Sequence, residues 1–574
     1  MKAPTINRKF LEYAKASKDL NPVINDSPYA LPVKQGEFFF HYKDMQEDEA
    51  YREKNFYWMH NFKILLTNGL PSMPPELLDE MAANGSSNFF YNALGGFYEY
   101  EAFKHRLGEQ KLDFGDPPCT ILTNEKGERM PAEMRDGTWR FDIVENHQSW
   151  LINPDNPIGG RSSGDFGGYY GGKAYFFDFA ADPASLADYM AKVLEDFSAE
   201  SHYNGAFFDY CSAGWKGSFL PKRVINLYAE KYGYLNEDKS VDFQRAVEAY
   251  DRDAGWFLYL LRQRLSRRID IFANQCFYSY KNYYPAVDHD ITESYFVSFA
   301  YGRQGKEIYA ETPDNPGKPQ KLFTTQTFYR GLKGSITDSS AESRANTAED
   351  TISMKDNENT ISQITSRALK AIQTARTFNG CPRFYFLDYM TPRYVKTGRT
   401  YEGQDVYRAV TDRQAIFYAL ACYRLFNCEG SVSDWYGGAG NYDKDDLYFV
   451  DLGKTLNTAY GTYLADGTAV DDENTADYAI RYFENGFSLI SGDVVKESIR
   501  YVLDGKFIPE NVQGLYDMYE RTYSEDKLSV TVHPNYYEML DSYVNPNNPE
   551  DVDDGYRPVG RVFMYIYRDI HDSQ

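Results

Sequence analysis

Four acidic side chains in this sequence close short apolar runs. They are Asp178 in AYFFDF (174–179), Asp209 in NGAFFDY (204–210), Glu293 in DITESYF (290–296) and Asp388 in RFYFLDY (383–389). Burying a carboxyl beside phenylalanines is costly and raises its pKa unless the group is paired or at work. One such acid reads as a helix cap or an arginine partner. Four at strand ends read as a site. Cleavage of a glycosidic bond needs one protonated and one ionised carboxyl facing each other.

Other motifs carry less. GGYYGGKA (167–174) lacks the Ser or Thr that reaches magnesium in a phosphate-binding loop, and a strand follows it where a helix is required. Gly160-Arg161-Ser162-Ser163-Gly164 spells a nucleophile elbow, but glycine-rich loop flanks it on both sides. Asp288-His289-Asp290 and the acidic runs YDKDD (442–446) and VDDEN (470–474) read as solvated surface. No metal and no cofactor is expected. The six cysteines are scattered, without a CxxC pair, which fits reduced, buried thiols.

These acids need elements to position them. Residues 1–35, with four prolines, read as an N-terminal arm. From residue 36 short β-rich runs alternate with helical stretches, the pattern of an α/β fold with a parallel sheet. The runs are 37–42, 62–67, 87–92, 149–154, 174–179, 204–210, 269–275, 290–296 and 383–389. Their number favours a (β/α)8 TIM-like barrel over a doubly wound open sheet. After Asp182-Pro183, apolar Leu186, Met190, Val193, Leu194 and Phe197 recur at helical spacing. Further helices are expected over 244–265 and 361–376. The barrel spans 36–470, with insertions at 155–173, which holds seven glycines between 159 and 172, and at 303–360, a polar loop. From 471 to 574 the period changes to two, and Glu484-Asn485-Gly486 marks a hairpin, so the chain ends in an antiparallel β module. In a barrel the C-terminal strand ends surround one pocket, which is where the four acids would converge.

The segments FFDFAADPASLADYMAKVLEDF (176–197) and YNGAFFDY (203–210) resemble TIM-barrel glycoside hydrolases related to the endo-α-1,4-polygalactosaminidases and similar exopolysaccharide hydrolases. IFANQ with Asn274, ITESY with Glu293, FYALACYRLFNCEGSVS (417–433), YFVDLGKTL (448–456) and YAIRYFENGFSLISG (478–492) follow in the same order. The resemblance covers roughly residues 36 to 495. The chain departs from that pattern at Asn204-Gly205, where Asp-Gly is usual, at Leu456 and Ser491, and in the 303–360 insertion. The resemblance implies Asp209 as nucleophile and Glu293 as general acid/base in a retaining reaction, with the carboxyls about 5–5.5 Å apart, whereas about 6.5–9.5 Å would mean inversion. Asp178 and Asn274 would hold sugar hydroxyls or orient the nucleophile, and Asp388 is a further candidate substrate-binding residue. Trp215 and Tyr295 are candidate stacking platforms, and His41, Tyr42 and Asn68 candidate subsite residues.

Composition bounds the partners. The 574 residues carry 61 basic and 84 acidic side chains, a net charge of −23, which repels nucleic-acid phosphates and anionic lipid. The longest apolar run, Ala415–Tyr423, is too short to span a bilayer, so no membrane insertion is expected. With 51 Tyr, 38 Phe and 6 Trp the chain is 17% aromatic, which suits the stacking of sugar rings as well as ordinary cores. The expected partner is a polysaccharide or oligosaccharide. The N-terminal residues show no secretory signal, so the chain stays where it is made, has lost a signal, or is carried outside by a vehicle such as a virus particle. The alternative to an enzyme is a carbohydrate-binding or structural protein, for example a virion surface component, on the same barrel.

Overall fold

The computed structural model describes residues 35–40, 62–67, 75–83, 86–91, 96–98, 138–154, 158–159, 173–209, 211–213, 220, 222–266, 269–274, 276–293, 296–299, 306–312, 316–324, 327–332, 334–335, 383–389, 392–426, 432–436, 452–456, 460–472, 475–536, 544–545, 548–552 and 555–567. Eight parallel strands close into a barrel: β1 (Gln35–Phe40), β2 (Phe62–Thr67), β3 (Ser87–Tyr91), β4 (Gly205–Phe208), β5 (Asp270–Asn274), β6 (His289–Glu293), β7 (Arg383–Tyr389) and β8 (Val432–Tyr436). Each pairs with the next in chain order, and β8 returns to β1.

Alternation along the strands separates two environments. Ala206, Phe208, Ile271 and Ala273 join the large apolar core shared with the helices. Phe207, Phe272, Phe89 and His289 instead meet one another: the ring centroids of Phe89 and Phe272 are 5.0 Å apart, and those of Phe89 and His289 also 5.0 Å. β3 pairs with neither β5 nor β6, so these rings meet inside the barrel, which is a packed core. Gly205 is required by that packing, because a Cβ there would lie 2.3 Å from the Phe89 ring.

Helices α1 (Pro75–Ala83), α2 (Pro183–Ser201), α3 (Lys222–Tyr232) and α4 (Phe243–Arg264) cover the outside of β3 to β5. α2 begins where Asp182 accepts the Ser185 N–H at 3.1 Å, and it ends on His202 in the left-handed region, φ 65°. Leu186, Met190, Val193 and Leu194 are buried, as their spacing requires. Asp242 caps α4 in the same way through the Arg245 N–H. Among the described residues no helix is long and apolar enough to cross a membrane.

Two of the expected barrel strands belong elsewhere. Residues 148–150 form a single 3₁₀ turn, and Leu151 makes an isolated bridge to Phe177. Lys173–Phe176, the core of AYFFDF, pairs antiparallel with Gly96–Tyr98 and Ile158–Gly159 in a separate sheet. Phe179 stacks on Phe257 of α4 and Trp150 contacts Tyr189 of α2, so these runs are apolar because they bury against helices. The true eighth strand is β8, which no apolar run announces. The 303–360 insertion is not a plain loop either. Glu307–Glu311 and Gln320–Phe323 form a four-stranded sheet with the hairpin Arg393–Tyr401 and Gln404–Val410. The expected helix over 361–376 lies outside the described residues.

The C-terminal sheet runs through Gly461–Tyr463, β9 (Tyr478–Phe483), β10 (Gly486–Val494), β12 (Tyr556–Tyr567), β11 (Val512–Asp517) and Thr522–Ser524. It packs on α5 (Arg413–Phe426): Ser488 Oγ donates to the Ala421 carbonyl at 3.1 Å, and Arg481 Nη1 to the Leu425 carbonyl at 3.0 Å. Gly560 of β12 lies so close to α5 that a Cβ would come within 2.5 Å of Tyr418 Cα.

Candidate functional site

Asp209 is the residue after β4, and Asn274 is the last residue of β5. The β4–β5 register sets Phe208 opposite Ala273, so the two polar residues leave their strands side by side. Asn274 Nδ2 donates to Asp209 Oδ1 at 2.9 Å. Asp209 is buried and Asn274 half-buried. Both continue the inward-facing series of Phe207 and Phe272, so the pair stands at the C-terminal end of the barrel above the lumen rings.

Glu293 is the last residue of β6, two strands round from Asp209. Asn274 is level with Ile291, and Glu293 with Leu387 of β7. Leu387 is in turn level with Asp434 of β8, an acid that sequence reading passed over because VSDWY has no apolar run. The Glu293 side chain lies outside the described residues, as do Trp215, Tyr295, His41, Tyr42 and Asn68 entirely.

Asp178 is not at a barrel strand end. Its buried carboxylate accepts from Lys231 Nζ at 2.5 Å and from the Tyr232 hydroxyl at 2.8 Å, and it also takes the Ala180 N–H at 3.2 Å. These bonds tie the start of α2 to the end of α3. Burial and the Asp178 carboxylate push the Tyr232 phenol above its ordinary value. Asp388 is on β7 but is one residue beyond Leu387, so it takes the opposite face, toward Tyr418 and Cys422 of α5. Its Oδ1 accepts the N–H groups of Phe296 and Val297 at 2.6 and 2.8 Å. Neither acid therefore stands beside Asp209 and Asn274. Asn204, where the resembled pattern has Asp, lies at the start of β4, the end opposite Asp209. It accepts the Asn88 N–H at 2.5 Å and donates to the Ser86 carbonyl at 3.2 Å, a backbone contact.

Asp288, His289 and Asp290 are not solvated surface. Asp288 pairs with Arg262 and takes the Ile271 N–H at 2.8 Å. His289 Nε2 is 3.1 Å from Asp270 Oδ2, which also accepts from Ser87. Asp290 accepts the Cys276 N–H and the Tyr284 hydroxyl, both at 2.8 Å. Among the described residues no group of His, Cys, Asp and Glu is arranged to hold a metal ion.

A further buried acid lies behind the site. Asp251 of α4 accepts from the Ala213 N–H (2.7 Å), the Tyr283 hydroxyl (2.7 Å) and Ser279 (2.6 Å). Burial pushes its pKa up to about 6 against these donors, which favour the ionised form. It occupies the apolar stripe of α4 between Val247 and Ala254, and an acid at such a position is a signal readable from sequence. Burial, with the Cys211 thiol beside it, holds Cys276 protonated, which leaves it a poor nucleophile.

No protein-family model and no curated protein matches the chain. Among solved structures it is similar to the glycoside hydrolase domain of PelA from Pseudomonas aeruginosa. That match has a TM-score of 0.32 and 13% identity, covering 72% of this chain and 97% of that one. It is also similar to an Arthrobacter globiformis T6 isomalto-dextranase complexed with panose, with a TM-score of 0.37, 8% identity, and 94% and 74% covered. For trehalose-6-phosphate hydrolase from Bacillus licheniformis the figures are 0.37, 9%, and 90% and 94%. The barrel is defined by its own strand pairing.

Proposed function

We propose that the chain is a glycoside hydrolase acting on a polysaccharide, built on a complete (β/α)8 barrel. The observation that carries this reading is the buried carboxylate of Asp209 at the C-terminal exit of a closed parallel barrel, held by Asn274 from the neighbouring strand. In such barrels reacting groups gather at that end. Glu293 ends β6 at the same end of the barrel.

In this reading Asp209 attacks the anomeric carbon while Glu293 gives its proton to the leaving oxygen. A covalent glycosyl intermediate forms on Asp209. Glu293, now ionised, takes a proton from water, and that water releases the sugar with retained configuration and restores both carboxyls. Asn274 donates to one oxygen of Asp209 and so orients the carboxylate. The aromatic lumen beneath lowers the local dielectric, which strengthens the interaction of the carboxylate with a positively charged transition state.

The test is a panel of exopolysaccharides incubated with the wild-type chain, with reducing ends counted and the anomer of the first product read by NMR. New reducing ends with retained configuration support the reading. Binding of a polysaccharide without any product supports the rival, a carbohydrate-binding or structural protein on the same barrel.

A further inference from the structure

Asp209 directly follows β4, Asn274 ends β5 and Glu293 ends β6, three consecutive barrel strands, and a buried acid grips the backbone just beyond each of these residues. After Asp209, Ala213 donates its N–H to Asp251 Oδ1 at 2.7 Å. After Asn274, Cys276 donates to Asp290 Oδ1 at 2.8 Å. After Glu293, Phe296 and Val297 both donate to Asp388 Oδ1. Asp290 and Asp388 each come from the next strand of the barrel, and Asp251 comes from α4. All three acids are almost wholly buried, as are Ala213, Cys276, Phe296 and Val297.

We infer that Asp251, Asp290 and Asp388 are positioning residues that lock the exits of β4, β5 and β6, and so fix where Asp209, Asn274 and Glu293 stand. A strand ladder ends at its last hydrogen bond, and beyond it the chain is held only by what its N–H groups find. Two N–H groups on one side-chain oxygen, as at Asp388, form a rigid bend that water would not hold as firmly. The geometry of the reacting carboxyls then follows from acids that never touch the substrate. Misplacement of a reacting group by about 1 Å costs on the order of 100-fold in rate, so an acid of this kind acts on turnover more than on binding. The inference rests on the hydrolase reading for its kinetic consequence and on the hydrogen bonds alone for the clamp.

Asp388→Asn keeps one carbonyl oxygen for both N–H groups, whereas Asp388→Leu keeps the size and removes the acceptor. In a chain that cleaves polysaccharide, the Leu variant is expected to lose about 10- to 100-fold in kcat with KM within about threefold. The Asn variant should stay within about fivefold of wild type. A folded Leu variant with wild-type kcat, or equal losses in the Asn and Leu variants, overturns the inference. Amide hydrogen exchange at Phe296 and Val297 reads the clamp without turnover, with protection expected in wild type and the Asn variant and fast exchange in the Leu variant. Should the Leu variant not fold, fast exchange at these amides in wild type overturns the clamp, and protection in wild type and the Asn variant supports it. A wild-type chain that cleaves nothing removes the hydrolase reading, and the exchange at Phe296 and Val297 still decides the clamp in the same way.

Discussion

The side-chain amide of Asn274 donates to Asp209 Oδ1 across 2.9 Å, linking the ends of two neighbouring barrel strands. A hydrogen bond to the charged form favours that form and fixes its orientation. Asn274→Ala should therefore lower kcat about 10- to 100-fold while the chain stays folded. Asn274→Asp should do more damage, because two adjoining carboxyls cannot both ionise easily. Kinetics of both variants on the cleaved polysaccharide, beside circular dichroism, check this. Unchanged kcat in Asn274→Ala would detach Asn274 from the site.

Asp178 belongs to the join between α2 and α3. Lys231→Met removes a partner whose head is about half exposed, leaving the buried carboxylate to Tyr232 and the Ala180 N–H. The expected loss of stability is about 1–3 kcal/mol, reduced from the cost of breaking a fully buried pair by solvent at Lys231. Thermal unfolding measures it, and kcat of the folded variant should stay within about twofold of wild type. A folded Asp178→Asn variant that loses turnover by orders of magnitude would return Asp178 to the site.

Asp251 predicts a pH dependence of stability. Its folded-state pKa of about 6 is above the ordinary 3.8, so the unfolded chain binds fewer protons between those values. The contribution is fully present below about pH 4 and is lost as pH rises through 6, by about 3 kcal/mol at most. Its neighbours Ser212, Ser279, Tyr250 and Tyr283 carry no charge in that window, while Asp412, also raised to about 6 by burial, adds a separate loss of the same sign. Urea unfolding from pH 4 to pH 7 should show a gentler fall in Asp251→Asn than in wild type. Parallel curves would contradict the assignment.

Gly560 joins the C-terminal sheet to the barrel's helical layer. Gly560→Ala puts a Cβ against Tyr418 Cα, where the backbone must move, and about 1–3 kcal/mol of overpacking is expected. A drop of several degrees in Tm would show it. An unchanged Tm would mean that the sheet and α5 can part at this seam without loss.

The barrel was legible where Phe-rich runs end in a polar residue, as at β4 and β5, because a buried parallel strand needs an apolar run whatever its neighbours. The same logic misplaced 174–179, since an apolar run reveals burial without saying which sheet or helix covers it. β8 was hidden because VSDWY mixes polar and apolar residues as it closes the barrel. The hairpin over 393–410 was hidden by the polar, largely exposed strand 393–401, although Glu402-Gly403, with φ of 50° and 78°, carries the residues a tight primed turn uses. Strand-end reading named Asp209, whereas Asn274 entered only through the resemblance of IFANQ, and the structure sets the two side by side. Asp388 does not join them, because one residue of register decides which face a side chain takes, and sequence alone does not fix register to one residue.

The central claim is that Asp209 and Glu293 act on one glycosidic bond. It is tested most directly by the turnover of wild type, Asp209→Asn and Glu293→Gln on the same polysaccharide, with folding checked by circular dichroism. Both variants are expected to fall by at least about 1,000-fold, with substrate binding retained. Wild-type turnover in either folded variant would contradict it.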